Sequence, residues 1–291
     1  TWRARMVELD YVVIGHVTRD LKEHSVTIGG TASYAARTAR KLRCRVGVVT
    51  SADPALDLSE PLSDVLVARL PASESTTFEN VYTDGRRQQV VHATAETLVP
   101  DVVPDDWRTA IVHLGPVVQE CDPALVAVFE GAFVGVTPQG WMRQWNRRGW
   151  VSRRPWREAE AVLPRVDAVV LSEEDLGGNE RLATEYADQT RTLALTRGAA
   201  GCAVYAGGEV RRFAPPAVTE LDSTGAGDVF AASFFCALQR GRDPWTAAQF
   251  ANCIAARSVR LAGLSGTPTG EGGSRCNQTV CGDRVGDGHR L

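Results

Sequence analysis

Leu221-Asp222-Ser223-Thr224-Gly225-Ala226-Gly227-Asp228 runs directly into Val229-Phe230-Ala231-Ala232-Ser233-Phe234-Phe235. Two glycines around an alanine let the backbone turn sharply and approach a ligand closely. The apolar run behind them reads as a buried helix. A loop of small residues opening a helix presents unpaired backbone N–H groups and the positive end of the helix dipole, which suits an anion. Asp228 admits two readings. A carboxylate in a first helical turn is electrostatically favourable and can cap free amides. Beside an anion site it is also placed to take a proton. On local features alone the two readings balance.

The surrounding composition narrows the choice. The chain has 291 residues, 44% hydrophobic and 23% charged, an ordinary globular balance with material for a sizeable core. Net charge is −3 and no long basic block occurs, which argues against a nucleic-acid surface. Lysine is confined to Lys22 and Lys41, so a lysine-based site has few candidates. Seven cysteines are scattered without zinc-ligand spacing, and their odd number argues against a disulfide framework. Only Cys276 and Cys281 sit in a polar setting, as a pair or as inert tail residues. No window has the apolar length to span a membrane. No apolar signal-type segment follows Thr1-Trp2-Arg3-Ala4-Arg5. The expectation is a cytoplasmic protein with neither nucleic acid nor membrane as a partner.

Outward from the opening stretch, the chain alternates short apolar strands with helices. Strands are predicted at 10–16, 45–50, 110–115, 133–137, 168–172 and 192–196, with a hairpin at 202–213. Helices are predicted at 31–42, 123–131, 158–163, 180–188, after Asp228 and at 244–261, and 52–70 reads as loop and helix. This rhythm argues a mostly parallel sheet covered on both faces, which binds ligands beyond its C-terminal strand ends. Residues 19–28 and the strand–Asp84-Gly85–strand pattern of 75–92 are expected to form a small accessory sheet. The Gly-rich polar segment 270–291 is expected to be poorly ordered. Four strand ends would then meet the opening loop at one edge. They are Gly15 to Asp20 with Gly29-Gly30, Thr137 to Arg143, Ser172 to Asp175, and Thr196 to Gly201. Acids, an arginine, glycines and a helix N-terminus in one place suit phosphate chemistry, although there is no P-loop.

Asp222-Ser223-Thr224-Gly225-Ala226-Gly227-Asp228 resembles the D-x-x-G-A-G-D signature of the ribokinase-like (PfkB-type) carbohydrate kinases. Gly29-Gly30 before a small-residue helix resembles that family's N-terminal Gly-Gly signature. Thr196-Arg197-Gly198-Ala199-Ala200-Gly201 resembles its T-x-G-x-x-G nucleotide-site strand end, and 244–263 its C-terminal helix beside the adenine. The resemblance runs from about Asp10 to Thr269 and implies one ribokinase-like α/β domain over 1–269, with lid strands inserted at about 19–28 and 75–92.

It also implies roles. Asp228 would be the base, and the Gly225, Ala226 and Gly227 amides the anion hole for the γ-phosphoryl group. Asp20, Gly29, Gly30, Tyr34, Gln139 and Arg143 would bind the acceptor. Thr196, Gly198, Gly201 and Asn252 would line the nucleotide site. Asp175 and Glu174 would hold Mg²⁺, and Asp222 with Thr224 a monovalent cation such as K⁺. The implied activity is ATP-dependent phosphoryl transfer to a small sugar or polyol, in an inositol-kinase-like or uncharacterised branch, with dimerisation through the lid as a further expectation. The alternatives are a nucleoside kinase and a catalytically weak ligand-binding relative. Ser172-Glu173-Glu174-Asp175, standing where the family has N-x-x-E, motivates the weak binding relative, and Tyr34, where many members have a sugar-binding Asn, weakens any transfer of ribose or fructose specificity.

Overall fold

A computed structural model describes residues 6–83 and 86–268. The expected tail with Cys276 and Cys281, and the Asp84-Gly85 turn, lie outside the described residues. The strands are β1 (Val7–Ile14), β2 (Thr18–Lys22), β3 (Ser25–Gly29), β4 (Val46–Ala52), β5 (Leu66–Pro71), β6 (Thr77–Thr83), β7 (Arg86–Ala93), β8 (Trp107–Leu114), β9 (Phe133–Val136), β10 (Arg143–Trp145), β11 (Val151–Arg153), β12 (Ala168–Ser172), β13 (Thr192–Thr196), β14 (Cys202–Ala206) and β15 (Glu209–Phe213). The helices are α1 (Thr31–Lys41), α2 (Ala159–Val162), α3 (Glu173–Leu176), α4 (Glu180–Ala187), α5 (Ala226–Gln239) and α6 (Pro244–Ser258).

The large sheet has the order β15-β14-β13-β12-β9-β8-β1-β4-β5. Its strands run parallel from β5 to β13, and the β14–β15 hairpin closes one edge antiparallel. Strands covered on both faces are apolar throughout, and their period of two divides alternate residues between two cores. Tyr11 and Val13 pack with Ala36 of α1 and Phe230 and Phe234 of α5. Val12 and Ile14 pack on the other face with Leu125, Trp141 and Trp156. Val170 and Ala194 follow the first set, Val169 and Leu193 the second. Helix α5 is buried without interruption from Val229 to Ala237, as a helix apolar on all sides must be. Gly135 in β9 makes room for it, because a Cβ there would strike the Phe235 ring.

The accessory sheet forms with the order β3-β2-β6-β7. The expected single strand at 19–28 is a hairpin in which Thr18 faces Gly29, and it joins the second hairpin through a parallel β2–β6 pairing. No helix among the described residues is long and apolar enough to cross a membrane.

Three helical expectations differ from the structure. Residues 52–70 hold turns followed by β5. Asp53 and Asp57 there accept from the amides of Ala55 and Ser59 two residues on, a side-chain turn that competes with helix. Residues 123–131 make only a 3-10 turn over Pro123–Ala127, capped by Asp122, before the chain turns at Gly131 (φ 74) into β9. The 158–163 helix is reduced to α2 and a 3-10 turn, since Pro164 has no N–H to continue it.

A buried carboxylate holds two crossing loops together beneath the accessory sheet. Glu120, 3% exposed, accepts the amides of His16 (3.0 Å), Val117 (2.9 Å) and Val118 (2.7 Å). His16 itself is fixed by Thr76 at 2.7 Å and the Glu96 carbonyl at 2.8 Å. In the sheet interior Tyr11, His113 and Thr137 form a hydrogen-bonded chain, and burial pushes the His113 imidazole down to about 3, so it is neutral.

Candidate active site

The predicted site residues gather at the C-terminal edge of the parallel strands. The chain leaves β1 through His16 to reach Asp20 in β2, leaves β9 to reach Gln139, and leaves β12 to reach Asp175. Gly30 caps α1 with φ 84, where a Cβ would strike the His16 carbonyl. Gly29 faces Asp20, whose carboxylate occupies the space of a missing Cβ and accepts from Thr18 Oγ1 at 3.0 Å. Arg143 reaches from the start of β10 toward the accessory sheet, with its guanidinium 6.0 Å from the Phe78 ring centroid and 3.4 Å from the Val117 carbonyl.

Three aspartates stand in the first turns or at the N-caps of α-helices, and they behave differently. Asp243 caps α6 by accepting the amides of Trp245 and Thr246 at 3.1 and 3.0 Å. Asp175 completes a capping box with Ser172: Ser172 Oγ accepts the Asp175 amide at 3.1 Å, and Asp175 Oδ2 accepts the Ser172 amide at 2.9 Å. Asp228 caps nothing. Among the described residues its side chain accepts one hydrogen bond, from Thr31 Oγ1 of α1 at 2.8 Å. Burial pushes its carboxyl up from 3.8 to about 6. The Thr31 bond and the Arg143 charge pull it back down, while Asp175 and Asp20 push it up. A hydrogen bond from α1 and charges from β10, α3 and β2 therefore converge on Asp228. Thr31 is a site residue that the motifs do not name. Its signal was its place immediately after Gly29-Gly30, opposite the motif loop.

The loop before Asp228 is organised by its own side chains. Asp222 clips it, accepting the amides of Thr224 and Gly263 at 2.9 Å each. Burial opposes ionisation of Asp222, but these hydrogen bonds outweigh it and hold the carboxyl low. Gly225 has φ 77 and lies against the Tyr34 ring, where a Cβ would overlap. The buried Tyr34 thus forms the floor of the loop, and burial with the charges of Asp20, Asp228 and Asp222 raises its phenol far above the usual value. The Ala226 amide donates to the Ser223 carbonyl at 3.1 Å, so it is engaged within the turn. The amides of Gly225 and Gly227 have no such backbone acceptor among the described residues. Around Gly227 a Cβ would meet open space. Gly225→Ala is expected to destabilise the fold by roughly 2 kcal/mol through left-handed strain and overlap with Tyr34. Gly227→Ala is expected to leave the melting temperature unchanged or higher, and paired thermal melts check both.

Among the residues expected to line a nucleotide site, Thr196 Oγ1 donates to the Leu171 carbonyl at 3.2 Å. Gly201 has φ 87 and presses on the Phe213 carbonyl. Between them Arg197 pairs with Glu173 at 3.2 Å and Glu180 at 3.0 Å. Gly198 turns the chain with φ 54. Asn252 is 5% exposed and donates to the Phe213 carbonyl at 3.0 Å and to Cys202 Sγ at 3.4 Å, so its amide is committed to the framework.

For a metal the donors are sparse. No group of three His, Cys, Asp or Glu side chains is placed to hold an ion among the described residues. Glu174 is exposed, and Asp175 keeps Oδ1 for Gln139 Nε2 at 3.4 Å. Mg²⁺ in phosphoryl-transfer sites takes one or two carboxylates and draws its other ligands from phosphates and water. This donor set fits that arrangement and not an all-protein cage.

The sequence model of the pfkB family carbohydrate kinases matches residues 152–269. No curated protein matches the sequence. Among solved structures, a pyrophosphate-dependent kinase in the ribokinase family, complexed with a pyrophosphate analog and myo-inositol, aligns with a TM-score of 0.74 at 22% identity, covering 87% of this chain and 96% of that one. An Arabidopsis thaliana ribokinase complexed with ribose and ATP aligns with a TM-score of 0.70 at 16% identity, covering 93% and 99%. A Methanocaldococcus jannaschii nucleoside kinase aligns with a TM-score of 0.69 at 16% identity, covering 95% and 100%. The fold is ribokinase-like.

Proposed function

From a chain whose residues 152–269 match the pfkB carbohydrate kinases and whose fold is ribokinase-like, we propose a kinase that transfers the γ-phosphoryl group of ATP to a hydroxyl of a small polyol or sugar. One observation carries the reading: of the three aspartates at α-helix starts, Asp228 alone leaves its own helix uncapped and turns its carboxylate across to α1. Asp228 is the base. The acceptor O–H bond breaks and its proton passes to Asp228. The freed oxygen bonds the γ-phosphorus, and the bond from that phosphorus to the β,γ-bridging oxygen breaks, releasing ADP. A carboxyl near 6 is ionised at neutral pH yet basic enough to accept that proton. The Gly225 and Gly227 amides at the positive end of α5 face the transferring group, with Ala226 supporting their turn. Arg143 balances charge beside Asp228. Asp20, with Gly29 and Gly30, addresses the acceptor from the lid side, and closure of the accessory sheet excludes water.

Asp175 and Glu174 are the residues that would hold Mg²⁺, which when bound neutralises charge on the phosphate oxygens. Dependence of the rate on K⁺ over Na⁺ tests the further role of Asp222 and Thr224. Tyr34, where many family members have a sugar-binding Asn, weakens the carry-over of ribose or fructose as the acceptor. The myo-inositol and ribose neighbours define the panel.

The experiment is coupled ADP release on myo-inositol, other polyols, ribose, fructose and nucleosides, with ATP and with pyrophosphate as donors. Turnover on one polyol or sugar with ATP is expected, and Gly227→Ala should raise the KM for ATP because its methyl enters the space proposed for the phosphates. Turnover with nucleosides alone, or with pyrophosphate alone, would displace the assignment. A catalytically weak binding relative is the second reading, favoured by the commitment of Asp175 to its capping box. Calorimetric binding of ATP without turnover on any acceptor would select it.

A further inference from the structure

Thr31 is buried (3% exposed) at the first position of α1, and its two branches have separate tasks. Its methyl fills the space that a side chain at Gly115 would take, and a Cβ on Gly115 would overlap it. Gly115 is fixed in turn: its amide donates to the Ile14 carbonyl at 2.9 Å, and its carbonyl sits where a Cβ on Gly15 would fall. The ends of β1 and β8 therefore close under Thr31, and a β-branched side chain so confined has little freedom at χ1. The hydroxyl points at Asp228 and donates to Oδ1 at 2.8 Å. These two residues lie 197 positions apart in the chain and belong to different helices.

We infer that Thr31 is the positioning residue for Asp228, its hydroxyl locking Oδ1 so that Oδ2 is the oxygen presented to an acceptor hydroxyl. The inference rests on the base role of Asp228. The wedge of methyl against Gly115 sets the direction, and the hydrogen bond sets the carboxylate plane. Proximity and orientation of this kind carry a large share of a proton transfer, because the base must lie within hydrogen-bond reach of its proton. The hydrogen bond also favours the ionised carboxylate. The other groups acting on that charge are Arg143 from β10, Asp175 from α3 and Asp20 from β2, with the phenols of Tyr11 and Tyr34 nearby and raised in part by Asp228 itself.

The test compares Thr31→Val, which keeps the wedge and removes the donor, with Thr31→Ser, which keeps the donor. Carbon-13 titration of the Asp228 carboxyl without substrate is the first readout. Thr31→Val should move its midpoint upward by about one pH unit, and Thr31→Ser should restore it. The acidic limb of kcat should move with it, and kcat should fall about tenfold or more while the KM for ATP holds. An unchanged Asp228 midpoint in folded Thr31→Val overturns the inference, as does an unchanged acidic limb and kcat. Failure of the underlying reading looks different: full turnover by Asp228→Asn, whatever the Thr31 variants do to the titration.

Discussion

Asp228→Asn is expected to lose phosphoryl transfer by about two to four orders of magnitude in kcat while remaining folded. The loss and the stability move in opposite directions, and that opposition is diagnostic. In the native chain the carboxyl holds its proton up to about pH 6, against an ordinary value of 3.8. Between those values the native state binds more protons than the unfolded chain, so stability falls as pH rises from near 4 through 6. The contribution is lowest above that window, where Asp228 is ionised. Asparagine carries no charge at any pH, so the variant should melt at or above the parent temperature at pH 7.5, and the gap should close near pH 4. Activity of the parent should rise through the same window as the base ionises. A residue kept at a cost to stability and needed for rate is what a catalytic carboxylate predicts. A capping aspartate would show the reverse, with its asparagine variant less stable and its activity retained.

Glu120→Ala is expected to destabilise the protein by roughly 3 kcal/mol, since three buried amides lose their acceptor together. For a chain of this size that corresponds to a fall in melting temperature of about 5 °C. Glu120→Gln should be of similar severity, because its amide group sets a donor against the N–H groups of His16, Val117 or Val118. The consequence reaches the site. The His16 segment carries the chain from β1 into β2 and Asp20, and the Val117 carbonyl receives Arg143. Loosening that junction should therefore raise the KM for the acceptor more than the KM for ATP. Thermal melts with initial-rate kinetics check both parts, and a melt within about 1 °C of the parent would contradict the pinning role.

The parallel sheet was legible because its strands are short, apolar and punctuated, and because alternate residues such as Val12 and Val13 feed different cores. Helix α5 was legible from its unbroken apolar run after Gly227. The predicted helix at 123–131 was not legible as a turn, because the same spacing of Leu125, Val126 and Phe129 serves a single turn that must reach β9 quickly. In the site, the acids, glycines and arginine were visible as strand-end residues. Ser172-Glu173-Glu174-Asp175 carried two readings that only geometry separates, since a capping box and a metal ligand both ask for a carboxylate three residues on. The partners of Thr31 and Glu120 are not legible for one physical reason, although the place of Thr31 directly after Gly29-Gly30 is. Each acts on groups 197 or as many as 104 positions away, and no local pattern records such a contact.

If Asp228 takes a hydroxyl proton so that a phosphoryl group can be transferred, product must appear with the carboxylate and not without it. Phosphorus NMR of the parent and of Asp228→Asn, each incubated with ATP, Mg²⁺ and the acceptor panel, separates the two cases. A new phosphomonoester resonance matched by ADP is expected from the parent, and no such resonance from the variant over the same interval. Equal product from the variant, or ATP binding by the parent with no phosphomonoester on any acceptor, would contradict that role of Asp228.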